Sequence, residues 1–352
     1  MIHYKNIVLS PELQELLEKI DQFKLSWQES SLLIPEQLKV LRHVATIESV
    51  GSSTRIEGSK LSDTQVEKIL SGLKTESFKS RDEEEVAGYA YVMEEIYTSY
   101  LYIPLTENYI KQLHALLLHY SSKDVRHRGD YKKFPNNVEA FDVQGRSLGV
   151  VFETTSPFDT PLQMADLVEW TNKAFKTKEY HPLVVIGIFI VTFLAIHPFQ
   201  DGNGRLSRVL TTLLLLQHGY SYVIYSSLET VVEHSKEAYY RALRLTQATL
   251  KTNDPQFQPW LFYFLRSLHK QIQQLEFKIS KEHIMLTSLP KLASDIMQLV
   301  TDKFKIGIAD VIAYTGAPRS TIKKQLTFLV DRKYLARHGQ GKGVWYTKVE
   351  RI

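Results

Sequence analysis

Apolar residues recur at three- and four-residue spacing through Leu13–Phe23, Leu38–Ile47, Val66–Leu73, Val86–Tyr97 and Tyr109–Leu118, which predicts a succession of amphipathic helices. Capping residues mark two of the starts, Ser62-Asp63 ahead of Val66 and Thr106 ahead of Tyr109. Between Arg126 and Pro157 the helical period breaks. The stretch FPNNVEAFDVQGRSLGVVFETTSP sets β-branched and aromatic residues around Gly145 and Gly149, a pattern that predicts a hairpin or extended flap. Helical spacing returns in Leu162–Phe175, Leu183–Ile196, Leu206–Gln217, Lys236–Leu250 and a long run from Pro259 to about Ile284. Leu183–Ile196 is almost wholly apolar but falls short of the roughly 20 residues that span a bilayer. It is read as a buried central helix, with no membrane partner.

The last stretch reads as a separate unit. Leu292–Val300, Ile308–Tyr314 and Thr321–Val330 make three short helices, the third opened by Pro318 and Ser320. Tyr334–His338, a glycine-rich turn at 339, 341 and 343, and Val344–Thr347 complete a hairpin. Thr315-Gly316-Ala317 supplies the short turn of a helix-turn-helix, so the expectation is a winged helix. The expected division is 1–80 for an N-terminal helical region, 81–285 for a catalytic core and 286–352 for the winged helix. The fold class is mainly α, with a β-hairpin flap.

Composition changes this picture in two places. The chain holds no cysteine, which excludes disulfides, thiolate nucleophiles and cysteine-bound metals. The start carries no basic segment followed by an apolar run, so a cytoplasmic protein is expected. From Met285 onward twelve Lys and Arg face five Asp and Glu, while the remainder carries 31 basic and 34 acidic residues. A basic unit on a near-neutral body suggests DNA or another acidic partner, and equally a solvated basic surface. Arg319, Lys323 and Lys324 on the third helix, with Lys342 at the wing tip, suit a DNA groove.

The chemistry concentrates in His197-Pro-Phe-Gln-Asp-Gly-Asn-Gly-Arg-Leu-Ser-Arg208. A histidine ends the buried helix and an acidic residue follows four positions later. Gly202-Asn203-Gly204 then opens the next helix, where backbone N–H groups and the helix dipole favour an anion. Arg205 and Arg208 share a face, with Leu206, Val209, Leu210, Leu213 and Leu214 turned to the core. Both guanidiniums are expected to aim at the anion site. Base, acid, anion nest and paired arginines within twelve residues point to phosphoryl chemistry. His114 and His119, five apart, do not share a helix face and argue no metal site.

This stretch resembles the signature of the Fic family, His-Pro-Phe-x-Asp/Glu-Gly-Asn-Gly-Arg-x-x-Arg, at every defined position, with looser similarity from about Pro11 to about Leu286. The resemblance implies a protein adenylyltransferase that moves AMP from ATP to a hydroxyl of a target protein. It implies His197 as general base and Asp201 as the residue holding Mg2+. Gly202, Asn203 and Gly204 would form the anion hole, Arg205 would hold the phosphates and Arg208 would receive the γ-phosphate. Ser53-Thr-Arg-Ile-Glu57-Gly58 resembles the family's inhibitory helix, in which Glu57 sequesters Arg208. Tyr240, beside Tyr239, stands where relatives place aromatics near adenine. The flap from Phe134 to Thr155 is expected to pair with the target as an added strand, although Thr155-Ser156-Pro157 replaces the relatives' consecutive prolines. Homodimers are common among such relatives. Two alternatives stay open: a DNA-binding regulator that senses ATP without transfer, and an enzyme that removes AMP or uses another nucleotide.

Overall fold

The computed structural model describes residues 4, 7–29, 35–72, 78–141, 147–287, 291–332 and 334–349. The chain divides into two compact units, residues 1–30 with 45–272 and residues 31–44 with 273–352. The fold is mainly helical. In order come α1 (Pro11–Glu29), α2 (Pro35–Ile56), α3 (Asp63–Ser71), α4 (Arg81–Ser99) and α5 (Glu107–Leu117). A hairpin of β1 (Val138–Phe141) and β2 (Ser147–Phe152) follows, then α6 (Thr160–Thr177), α7 (Pro182–Ile196) and α8 (Asn203–Gln217). Next come α9 (Leu228–His234), α10 (Lys236–Gln247) and α11 (Gln258–Thr287), the last of which runs past residue 272 into the second unit.

Local chemistry explains the boundaries. Ser62 caps α3, its own N–H donating to Gln65 Oε1 at 2.9 Å. Thr106 caps α5 by accepting from the Tyr109 N–H at 3.2 Å. Pro182 stands in the first turn of α7, where no N–H is needed. Every residue from Leu183 to Ile196 is buried, as an apolar surface on all sides requires. A Cβ on Gly187 would sit 2.8 Å from Leu261, so α11 approaches the α7 backbone at that residue. Trp260 Nε1 donates to the Gly187 carbonyl at 2.7 Å there.

The flap is an antiparallel pair running from Val138 opposite Phe152 to Phe141 opposite Ser147. Gly145, expected in its turn, lies outside the described residues, as does Leu73 beyond α3. The periodicity did not predict α9. With seven residues it is too short to display a period, and a 3-10 turn at Ser221–Tyr225 precedes it.

The second unit contains α12 (Lys291–Lys303), α13 (Ile308–Thr315), α14 (Arg319–Asp331) and the antiparallel pair β3 (Leu335–His338) and β4 (Trp345–Lys348). Ile306 forms a bridge with Tyr346, which ties the segment before α13 to the hairpin. Ile296, Val300, Val311, Ile322, Leu326, Leu329 and Leu335 build its core. Gly316 ends α13 at φ 64°, a left-handed position suited to glycine.

Candidate active site

The site grows from the end of α7. His197 adopts φ 53° and closes the helix with its N–H on Phe193 O at 2.9 Å, which turns the chain sharply into the loop. Asn203 then holds the loop on itself: its Oδ1 accepts from Phe199 N at 2.9 Å and its Nδ2 donates to Phe199 O at 2.7 Å. Phe199 is buried beneath, stacked on the His114 ring with centroids 3.8 Å apart. His114 Nδ1 accepts the Gly129 N–H at 2.8 Å, so its Nε2 carries the proton and donates to Asp201 O at 3.0 Å. From the other side Lys132 Nζ donates to Ile196 O at 3.0 Å, and Asn136 Nδ2 donates to Phe199 O at 2.6 Å. The loop is therefore fixed by side chains from α5 and from the segment before the flap.

His197 Nδ1 faces Leu194 O at 3.3 Å, which makes it the protonated nitrogen and leaves Nε2 with the ring's lone pair. Burial lowers the His197 pKa to about 4, with Lys132 adding to the effect. The ring is neutral at pH 7 and able to take a proton.

Gly202, at φ 79°, precedes the first turn of α8. The two arginines of that helix diverge rather than pointing together. Arg205 turns to α4, its Nη1 lying 3.2 Å from Glu85 and its Nη2 3.6 Å from Asp201. Arg208 turns to α2, its Nε donating to Ser53 Oγ at 2.8 Å and its Nη2 to Glu57 Oε1 at 2.7 Å. The Glu57 carboxylate also lies against the start of α8, since a Cβ on Gly204 would collide with Glu57 Oε1. Arg205 Nε, Arg205 Nη1 and Arg208 Nη1 are buried without a hydrogen-bond partner among the described residues.

Asp201 sits between arginines. Arg81 Nη2 donates to its Oδ2 at 2.6 Å. Burial alone would raise its pKa, but Arg205, the Gly202 N–H and Arg81 together hold it below the ordinary carboxylate value. No group of three or more His, Asp or Glu gathers as a metal centre among the described residues. A single carboxylate still suits Mg2+, which is commonly held by one or two carboxylates and the phosphates of its substrate.

Ser53 is the last-turn serine of α2, and Glu57 follows the helix end, ahead of Gly58 at φ 110°. The end of α2 is held against α9 and α10. Arg55 makes a two-pronged ion pair with Glu233 at 2.7 and 3.0 Å, and Lys236 Nζ caps Ile56 O at 2.6 Å. Tyr240 is half-buried at the same mouth, with Glu57 and Arg208 among its electrostatic neighbours. Its neighbour Tyr239 is core, packed edge-on against Trp260 and Tyr263.

All the residues singled out for the nucleotide site, from Ser53 to Tyr240, thus belong to the first unit. The sequence did not point to Arg81, Glu85, Lys132 or Asn136, and it brought in His114 only as a metal ligand that its spacing from His119 argued against. Each lies far along the chain from residue 197, and only the Arg81–Glu85 spacing of four residues hinted at a shared face.

Residues 104–215 match the Fic/DOC family model. A protein adenylyltransferase Fic from Drosophila willistoni is 25% identical over 280 residues, covering 76% of this chain and 51% of that protein. The counterpart from Drosophila sechellia is 28% identical over 210 residues, covering 59% and 39%. The chain thus spans about half or less of the length of these relatives. Among solved structures, a Fic domain containing signaling protein from Bacteroides thetaiotaomicron VPI-5482 superposes with TM-score 0.58 at 27% identity, covering 73% of this chain and 97% of that one. A Fic family protein from Desulfovibrio desulfuricans G20 shares the fold with TM-score 0.63 at 21% identity, over 99% of both chains. With the histidine at the end of α7, the glycine-flanked start of α8 and its two arginines in place, the chain carries a Fic/DOC family domain.

Proposed function

We propose that this chain transfers AMP from ATP to a hydroxyl group of a protein, and that Glu57 restrains the reaction. One observation carries the reading. Arg205 Nε and Arg208 Nη1 at the start of α8 are buried without an acceptor among the described residues, and a carboxylate of the same chain, Glu57, lies on Arg208 and against Gly204. Buried donors of this kind call for an anionic ligand, and the named relatives are adenylyltransferases.

In this mechanism the N–H groups of the Gly202–Gly204 turn and the dipole of α8 receive the phosphates. Arg205 and Arg208 supply forked donors to their oxygens. Asp201 would hold Mg2+, which when bound neutralises charge on the phosphate chain. His197 Nε2 accepts the proton of the target hydroxyl. The hydroxyl oxygen bonds to the α-phosphorus, the bond from that phosphorus to the bridging oxygen breaks, and pyrophosphate departs. Tyr240 would stack on the base. The β1–β2 pair is a two-stranded sheet, and the target backbone is proposed to add along it. Glu57, by occupying Arg208, denies the terminal phosphate its donor.

The test is incubation of wild type, Glu57→Gly and Glu57→Gly/His197→Ala with α-labelled ATP and Mg2+. Label on protein with Glu57→Gly, absent from the double variant, supports transfer, base and brake together. No label from any variant, with ATP still bound, would instead favour removal of AMP or nucleotide sensing.

A second partner is proposed for the other unit. Arg319, Ser320, Thr321, Lys323 and Lys324 of α14 are exposed, whereas Ile322, Leu326 and Leu329 are buried. The outer face therefore presents cations and hydroxyls, the composition of a helix that reads duplex DNA in a winged helix. The Lys342 side chain lies outside the described residues.

A further inference from the structure

Four successive carbonyls, from Ile196 to Phe199, are engaged by one short stretch ahead of the flap. Lys132 N–H donates to Pro198 O at 2.8 Å and its Nζ to Ile196 O at 3.0 Å. Asn136 Nδ2 donates to His197 O at 3.2 Å and to Phe199 O at 2.6 Å. The same two side chains also hold the far end of the flap. Lys132 Nζ donates to Asn136 Oδ1 at 2.7 Å and to Thr154 Oγ1 at 2.9 Å, and the Thr154 hydroxyl gives its own proton to Asn136 Oδ1 at 2.9 Å. Asn137 Oδ1 accepts the Thr154 N–H at 3.1 Å. Asn136 and Thr154 flank the first pair of the hairpin, Val138 opposite Phe152, so this cluster sits at the root of the flap.

Every polar group of the cluster is used. The three protons of the ammonium meet three neutral oxygens, and the Asn136 amide turns its oxygen to donors and its nitrogen to carbonyls. Lys132 is 3% exposed. Burial lowers its pKa to about 8, so the protonated form dominates at pH 7. The carbonyl end of α7 supplies negative potential for it. A cation buried among neutral oxygens is costly beside an apolar residue of the same length, and what it adds is direction. The loop is also secured by Asn203 and His114, but those bonds tie it to itself and to α5. Among the described residues, the side-chain hydrogen bonds that join the flap's ends to the loop are those of Lys132 and Asn136.

We propose that Lys132 and Asn136, with Thr154, are positioning residues that hold the flap, and the target strand laid along it, at a fixed spacing from His197 Nε2. Flap and base then form one piece, and the target hydroxyl arrives within reach of the nitrogen that takes its proton. The phosphate site does not hang on this cluster. Arg205 and Arg208 stand on α8 with Glu85 and Glu57 as partners, and His114 holds the Asp201 carbonyl ahead of the Gly202 turn. The inference rests on the transfer reading above.

The test follows label transfer from α-labelled ATP by full-length Glu57→Gly as the ATP concentration is varied. Adding Lys132→Met is expected to lower the maximal rate about ten- to a hundredfold, and Thr154→Val about threefold or more, with half-saturating ATP unchanged in both. Thr154→Ser keeps the hydroxyl and should recover most of the loss. Lys132→Met with Thr154→Val should cost no more than Lys132→Met alone. Should Lys132→Met fail to fold, Thr154→Val, which keeps the branched shape, decides the matter. A Glu57→Gly parent that labels no protein would overturn the transfer reading and this inference with it. A parent that labels protein at a rate unchanged in Thr154→Val and Lys132→Met would overturn this inference alone. A rise in half-saturating ATP that matches the loss of rate would also overturn it, marking the cluster as support for the nucleotide site.

Discussion

The His114 ring lies flat on Phe199, centroids 3.8 Å apart and planes 14° from parallel, and both ring nitrogens are engaged by backbone groups. A histidine so placed has no room for a second proton. Burial lowers its pKa to about 4 against an ordinary value of 6.5. The unfolded chain binds a proton below about 6.5 that the folded chain refuses until about 4, so the group makes stability fall as pH drops through that window. Replacing His114 by Ala should cost about 2–4 kcal/mol at pH 7 and flatten the stability–pH slope between pH 6 and 4.5 by up to about one proton. Urea denaturation across that range measures both.

The acid limb of catalysis should sit unusually low. With the His197 pKa at about 4, the base stays neutral from pH 8 to below 6. The rate of label transfer by Glu57→Gly should be level over that range with respect to this group and fall about tenfold per unit only below about pH 4. A half-maximal point near 6.5 would mean that the buried environment does not act on the ring.

Gly204 and Glu57 should be energetically coupled. Gly204→Ala is expected to destabilise the wild-type chain by about 1–3 kcal/mol, because the new methyl meets the Glu57 carboxylate. In Glu57→Gly the obstacle is gone, and the same substitution should cost at least about 1 kcal/mol less. Denaturation of the four members of the cycle gives the coupling. Nucleotide affinity should still drop in both Ala variants, since the methyl narrows the phosphate turn.

Arg81 competes for the carboxylate proposed to hold Mg2+. The pair is partly open to solvent, with side chains 44% and 38% exposed, so its strength is modest. Arg81→Ala should lower the Mg2+ concentration that half-saturates ATP binding by about two- to fivefold, read by calorimetry at fixed nucleotide. An unchanged or increased requirement would show that Arg81 assists the site instead.

If α14 docks on duplex DNA, binding should weaken steeply with salt. Lys323→Ala and Lys324→Ala should each reduce the slope of log affinity against log salt by about one, measured by fluorescence anisotropy on the full chain. Absence of binding to any duplex at moderate salt would leave α14 as a protein-docking face.

The sequence was informative where the chemistry is contiguous. His197, Asp201, Gly202–Gly204, Arg205 and Arg208 lie within one turn-and-helix, so their spacing alone implied an anion site. The continuous apolar run of α7 was equally plain. What the spacing misjudged was direction: two arginines three residues apart diverge, because Glu85 on α4 and Glu57 beyond α2 draw them to opposite sides. The residues that fix the loop were not legible, since Lys132, Asn136 and His114 are unremarkable in their own segments. Their role arises only when distant chain brings them to the Ile196, Phe199 and Asp201 carbonyls.

The anchoring of α2 by Arg55, Glu233 and Lys236 has a kinetic meaning. If Glu57 restrains the reaction as proposed, then with the helix end fixed it competes with a nucleotide from a standing position on the same chain. Its local concentration is a property of the fold and does not change with the amount of protein. Throttling of this sort is equally deep at nanomolar and micromolar enzyme. Flux would then follow the share of molecules in which residue 57 has rotated away, and the apparent affinity for nucleotide would be multiplied by that same share.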